Sequence, residues 1–170
     1  MRIAGIAVAV LACLASQPLW ALDCVTQTIQ ETYWAHEEAR DTYMLVYGSF
    51  AELKMVDRLA MDPATEPNAT AIEIWTATFE GNRASRRAFD QPFAAKVMLI
   101  LPDYSKFEGA GAPADEVRWI EDRNGLVWLK QTDAGLEVRS SICGSVIDAD
   151  PAHVKPALRC LRGGYCPKPD

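Results

Sequence analysis

The residues able to do chemistry are few and scattered along the chain. His36 leads the run His36-Glu37-Glu38, which opens like a zinc-protease helix. That motif needs a second histidine four residues after the first, where Arg40 stands, so the run reads as a solvated helix face. His153 is alone beside Asp150-Pro151 and is expected to serve a helix start. There is no Gly-x-Ser-x-Gly elbow for a serine nucleophile. Asp122-Arg-Asn124-Gly125 has its glycine too early for a calcium loop and no closing glutamate, so it reads as a turn. Asp90, Asp103 and Glu121 are the acids a small hydrolase would have to bring together, and nothing in their spacing does so. Arg83, Arg86 and Arg87 crowd one polar connection and form a candidate patch for an anion or a partner. Trp75, Phe79, Trp119 and Trp128 sit at strand spacing and read as core. The expectation is no catalytic residue, no metal ligand and no cofactor.

Composition narrows the partner. Of 170 residues, 49% are apolar and 24% charged, values of an ordinary globular chain. Seventeen Lys and Arg stand against 23 Asp and Glu, a net charge of −6. Affinity for a phosphate backbone needs clustered cations, so nucleic acid is not expected as a partner. A protein or glycan partner and a monomeric chain are.

The first segment addresses the chain. Met1-Arg2 is followed by an almost wholly apolar run from Ile3 to Ala15, then by Ser16-Gln17-Pro18-Leu19-Trp20-Ala21. A basic start, a short apolar stretch and a small residue at the break are the anatomy of an export signal, expected to be cut after Ala21. The run is too short to span a bilayer. A lipobox reading of Val10-Leu11-Ala12-Cys13 is the weaker alternative, because no flexible tether follows it. The alanine-rich signal resembles those of Gram-negative bacteria, so a periplasmic or secreted location is expected. Asn68-Ala69-Thr70 is a glycosylation sequon only in a eukaryotic setting.

Cutting there leaves Cys24, Cys143, Cys160 and Cys166. Four cysteines in an exported chain imply two disulfides. Cys24–Cys143 with Cys160–Cys166 is the favoured pairing, and Cys24–Cys160 with Cys143–Cys166 stays open. The first would close about 120 residues, worth roughly 4–5 kcal/mol on the chain-entropy account. A zinc site lacks any Cys-x-x-Cys spacing.

The elements follow from periodicity. Thr28 and Glu31 have capping-box spacing, and a helix is expected over 26–40. Tyr43 to Val56 reads as a long first strand interrupted at Gly48, where a bulge or sharp coil is expected. Ala71 to Glu80 is the second strand; Ile72 and Ile74 have the opposite parity to Trp75, Ala77 and Phe79, which implies a bulge or burial of both faces. Ala94 to Leu101 is a third strand stopped by Pro102. Residues 103–115 read as an excursion loop, and Glu116 to Arg123 as a short helix or strand. Leu126–Lys130 and Leu136–Ser140 flank a Thr132-Asp-Ala-Gly135 hairpin turn. Asp150-Pro151 opens a last helix, its start delayed towards Pro156, that ends at Gly163-Gly164. The expected fold is mainly β: a five-stranded OB-like barrel with one N-terminal and one C-terminal helix, a single unit over 22–170.

Leu126-Val-Trp-Leu-Lys130, Gln131-Thr-Asp-Ala-Gly-Leu136 and Leu136-Glu-Val-Arg-Ser-Ser-Ile-Cys143 resemble the last hairpin of netrin-like modules, the OB-type fold of the tissue inhibitors of metalloproteinases. Cys24 before a helix, Asp41 before the first strand and Ala77-Thr-Phe-Glu-Gly81 are similar to the same pattern, over residues 24–162. The resemblance implies a Cys24–Cys143 staple. It departs from the inhibitors where Leu22-Asp23 precedes Cys24, displacing the terminal amine that clamps a target's zinc, and where Pro102-Asp-Tyr-Ser-Lys106 replaces further cysteines. A non-catalytic binding or accessory module of the cell envelope is therefore expected first, a protease inhibitor second and a small hydrolase third. Mass spectrometry of the exported protein should give Leu22 as first residue; an acylated Cys13 at the N-terminus would contradict the leader assignment.

Overall fold

The computed structural model describes residues 28–62, 64, 69–85, 87–106, 112–121, 123–140, 146–148 and 150–168. The chain runs α1 (Ile29–Glu37), β1 (Thr42–Ala60), β2 (Ala71–Ala84), β3 (Phe89–Pro102), α2 (Pro113–Glu121), β4 (Gly125–Thr132), β5 (Gly135–Arg139), β6 (Ile147–Asp148) and α3 (Pro151–Leu161). It is mainly β, and five strands hydrogen-bond around a ring in the order β1-β2-β3-β5-β4 and back to β1. All pairings in the ring are antiparallel except β3–β5, where Val97–Ile100 lie parallel to Leu136–Arg139. The two-residue β6 adds to β4 outside the ring.

One core fills the ring. Val46, Phe50, Ala77, Phe79, Val97, Leu99, Leu101, Val127, Leu129 and Val138 point inward, and α2 closes one end with Val117 and Ile120. Its carboxylate at Glu116 accepts the Ser140 hydroxyl at 2.7 Å, locking the helix to the end of β5. A second core lies outside the ring, where Leu45 and Leu126 meet Ile29 of α1 and Ala157 of α3. The first half of β1 and most of β4 are thus buried on both faces, which is why they read as unbroken apolar runs rather than alternating ones.

Several expectations need correction. The expected pair of helices becomes three among the described residues, because Pro113-Ala-Asp-Glu-Val forms the first turn of α2 with Asp115 and Glu116 at its positive end. Helix α1 starts at Ile29 rather than residue 26, since Thr28 is itself the N-cap and exchanges bonds with Glu31. Helix α3 begins at Pro151, with the Asp150 side chain accepting the His153 amide, and carries Pro156 inside. In β1 the irregularities fall between Ala51 and Lys54 and between Met55 and Asp57, not at Gly48. Glu52 adopts a left-handed φ of 56° there.

Gly48 has a different task. It faces Gly81 of β2 on one side and Gly125 of β4 on the other, a row of three glycines across adjacent strands. A Cβ on Gly48 would lie 2.2 Å from the Glu80 carbonyl and 2.7 Å from the Gly81 α-carbon, and one on Gly81 would lie 2.1 Å from the Tyr47 carbonyl. The backbones touch, and no side chain fits. Gly48→Ala or Gly81→Ala should lower unfolding stability in urea by at least about 2 kcal/mol. Gly135→Ala, at a φ of 128° with open space around it, should cost about 1 kcal/mol; equal effects at these positions would contradict the close backbone approach.

Candidate functional site

β2 is regular through its middle, pairing with β3 without a shift from Ile72 to Arg83. The parity change seen in its sequence is therefore neither a bulge nor burial of both faces. Ala71, Glu73, Trp75, Ala77 and Phe79 share the inward side, and Ile72 and Ile74 point out. Across the sheet Leu59 pairs with Ile72, Ile72 with Pro102, Ile74 with Ile100, and Thr76 with Met98. Leu59 is 47% exposed. Ile72, Ile74, Met98 and Ile100 are half-buried and belong to neither core. An apolar patch thus lies on the outer face of β1–β2–β3, rimmed by Lys54, Asp57, Thr78 and Lys96. The helices pack elsewhere: α1 and α3 against each other and the β1–β4 side, α2 at the ring's end.

β1 also leaves the ring on this side. Its pairing with β4 ends at Gly48, while its pairing with β2 continues to Ala60. The free stretch exposes Met55 and Val56 as well as Leu59. Two bulges and the charges of Glu52, Lys54 and Asp57 interrupt it, the usual devices against strand-to-strand association. Contact with a partner is thereby left to side chains rather than to a continued ladder.

Below this face a charged cluster ends the inward row. Arg58 donates to Glu73 and to Asp103, each at 2.7 Å, and the Trp75 indole donates to the other Glu73 oxygen at 3.1 Å. Both acids are buried, at 6% and 5% exposure. Hydrogen bonds from the Ser105 hydroxyl and amide hold the Asp103 carboxyl below its usual range, with further help from the Thr70 hydroxyl and the charge of Arg58. The guanidinium ties β1, β2 and the end of β3 together. Sequence reasoning misses Glu73 because an acid between two isoleucines reads as the solvent face of a strand; the inward Trp75 two residues on is the available signal.

The other candidate residues are dispersed. Asp90 and Asp103 stand at opposite ends of β3, roughly 40 Å of strand apart. Glu121 is exposed at the end of α2. His36 is not on a solvated face: its ring stacks on Trp128 at 4.7 Å and meets Tyr43 edge-on at 4.4 Å. Its Nδ1 donates to the Thr32 carbonyl at 2.6 Å, and burial pushes its pKa down. It pins α1 to β4. His153 meets the Asp150 cap. Phe79 is fully buried and Trp75, Trp119 and Trp128 pack against the cores. Among the described residues no cluster of His, Cys, Asp and Glu could hold a metal ion, and no helix is long and apolar enough to cross a membrane. Arg83 donates twice to Gln91 across β2–β3, and Arg87 is exposed beside α3. Cys160 and Cys166 are joined, which removes the alternative pairing; Cys24, Cys143, Arg86, Asp122, the leader with Cys13 and the Asn68 sequon position lie outside the described residues.

Compared with protein-family models, with curated proteins and with solved structures, the chain finds no match in any of the three.

The Asp103 carboxylate contributes stability above its ordinary pKa near 4 that is lost as pH falls through its depressed folded value. Between about pH 5 and pH 2 the urea midpoint of the wild type should therefore fall more steeply than that of Asp103→Asn. Arg58→Met should cost about 1–3 kcal/mol at neutral pH by removing the counter-charge of two buried acids, which keep only their neutral hydrogen-bond donors. An unchanged midpoint in both variants would show the cluster to be incidental.

Proposed function

We propose that this chain is an exported, disulfide-stapled OB-type module that acts by binding a protein on the outer face of β1–β2–β3, without a reaction of its own. The barrel reading is supported by the ring order, by the single parallel pairing between β3 and β5, and by α2 in the β3–β4 crossover. Five strands closed this way match the OB plan, whose ligands use the face of strands 2 and 3. The netrin-like resemblance is consistent with this plan, and Cys160–Cys166 leaves Cys24 and Cys143 to pair with each other, as that resemblance implies.

The observation that carries the reading is the outward apolar row Leu59, Ile72, Ile74, Ile100 and Met98, on a face no helix covers among the described residues. Contiguous exposed apolar surface with a polar rim marks an interaction site. Its chemistry selects the partner class. Sugars stack on aromatic rings, and this row is aliphatic with a thioether, which suits another protein's apolar side chains. The acidity of the chain turns nucleic acid away from the face OB modules otherwise use for it.

A photo-crosslinking residue at Thr76, central in this face, should give one discrete adduct in the exporting host, and Ile74→Lys should abolish it while preserving the circular-dichroism spectrum and thermal midpoint. A probe at Arg118 on exposed α2 should give none. Equal labelling at both positions, or an adduct indifferent to Ile74→Lys, would overturn the assignment of the face.

A further inference from the structure

On the other side of the molecule Lys155, Leu158, Arg159, Arg162 and Gly164 line a hollow of about 340 Å³. The first four fall at i, i+3, i+4 and i+7, so they share one face of α3 and its cap. Among the described residues no acid lines the hollow, on a chain with 23 acids and 17 bases. Arg159 and Arg162 could be explained by the negative end of the helix, which favours cations in its last turn. Lys155 lies outside that turn and adds only like-charge repulsion at helical spacing. Lys155 and Arg159 have no carboxylate partner among the described residues.

The walls are held in place. Arg162 donates to the Arg87 carbonyl at the tip of the β2–β3 connection, fixing its guanidinium at the rim. After α3 the chain reverses through Gly163, at a φ of 70°, and the Gly164 amide donates to the Arg159 carbonyl at 3.0 Å. A Cβ on Gly164 would lie 3.0 Å from Arg159 Cγ, so a side chain there would crowd the arginine. The Cys160–Cys166 disulfide ties this reversal to the helix. The tail beyond it is fastened to α1, where the Trp34 indole donates to the Cys166 carbonyl at 3.2 Å.

We infer that this hollow is a binding site for a phosphate-type dianion, separate from the outer sheet face. Three cations converge on it, and a phosphomonoester or inorganic phosphate brings two charges and three or more acceptor oxygens. A single carboxylate would leave the like-charge repulsion largely in place. Arginine forks match phosphate oxygens in pairs, and Leu158 offers an apolar floor for the group that carries the phosphate. The phosphate has two sources: a soluble phosphomonoester, or the phosphomonoester headgroup of a phosphatidic acid surface. Of the patch read from the sequence, Arg87 contributes only its backbone carbonyl, which holds Arg162, and Arg83 is turned to Gln91, so neither side chain lines the hollow.

The test is a titration of the exported, oxidised protein with inorganic phosphate and with glycerol 3-phosphate, followed by amide shifts at constant ionic strength in chloride. A second arm measures co-sedimentation with vesicles containing phosphatidic acid, whose headgroup is a phosphomonoester, against phosphatidylglycerol vesicles, whose phosphodiester carries one charge. Saturable shifts confined to Arg159–Gly164, weakened at least tenfold in Lys155→Gln/Arg159→Gln, establish a soluble ligand site. Sedimentation with phosphatidic acid and not with phosphatidylglycerol, lost in the same double variant, establishes the headgroup source. Both substitutions are on exposed positions and leave the disulfide and the Arg162 hydrogen bond intact, and an unchanged thermal midpoint verifies the fold. No saturable response in either arm, or a response that the double variant retains, overturns the inference.

Discussion

The architecture turns on the place where three backbones meet without side chains. β1 bonds to β4 alone from Thr42 to Leu45, to β2 and β4 at once from Val46 to Gly48, and then follows β2 alone. At that residue Gly81, Gly48 and Gly125 lie in one row across the three strands. Only glycine lets the backbones touch at Gly48 and Gly81, and Gly125 faces Val146 so closely that a Cβ would meet its Cγ1 at 2.0 Å. β1 can therefore serve as the seam of the ring in its first half and as an outlying strand in its second. The bulges around Glu52 and Val56 continue the departure.

From that seam follow two unlike sides of the same sheet. Where β1 and β4 run together, α1 and α3 cover the outer surface and bury Leu45 and Leu126. Where β1 runs with β2 and β3, no helix among the described residues arrives, and the outward residues stay half-exposed. The inward row on this second side ends in the Arg58–Glu73–Asp103 cluster, whose acids are buried and whose base reaches solvent. An ion cluster there ties the ends of β1, β2 and β3 together without adding apolar surface.

Local rules read well and two-sided contexts read poorly. Thr28, Glu31, Asp150-Pro151, Gly163 and the Thr132–Gly135 turn act within a few residues, so their capping and turn chemistry is legible. The existence of all five ring strands is legible too, with β2 and β3 longer than periodicity alone suggests because their hairpin continues past the apolar stretch. Gly48 stands out but reads as a bulge, since a single sequence does not tell a twist within one strand from close approach of two. His36 reads as surface because the aromatic rings that bury it come from Tyr43 and from Trp128, 92 positions along the chain. The candidate face is present in the sequence only as an anomaly of parity at Ile72 and Ile74. Its meaning depends on which side of β2 faces the core, and Glu73 pointing inward runs against the ordinary preference of acids for solvent.

The account rests on the ring being closed at both of its seams. The most direct measurement is a set of interstrand nuclear Overhauser effects in the labelled protein. Closure predicts backbone proximity of Val97–Ile100 to Leu136–Arg139 in parallel register, together with Met44–Gly48 against Gly125–Leu129 in antiparallel register. A sheet that shows one set without the other would be open, the outer face of β1–β2–β3 would lose its frame, and the account would be contradicted.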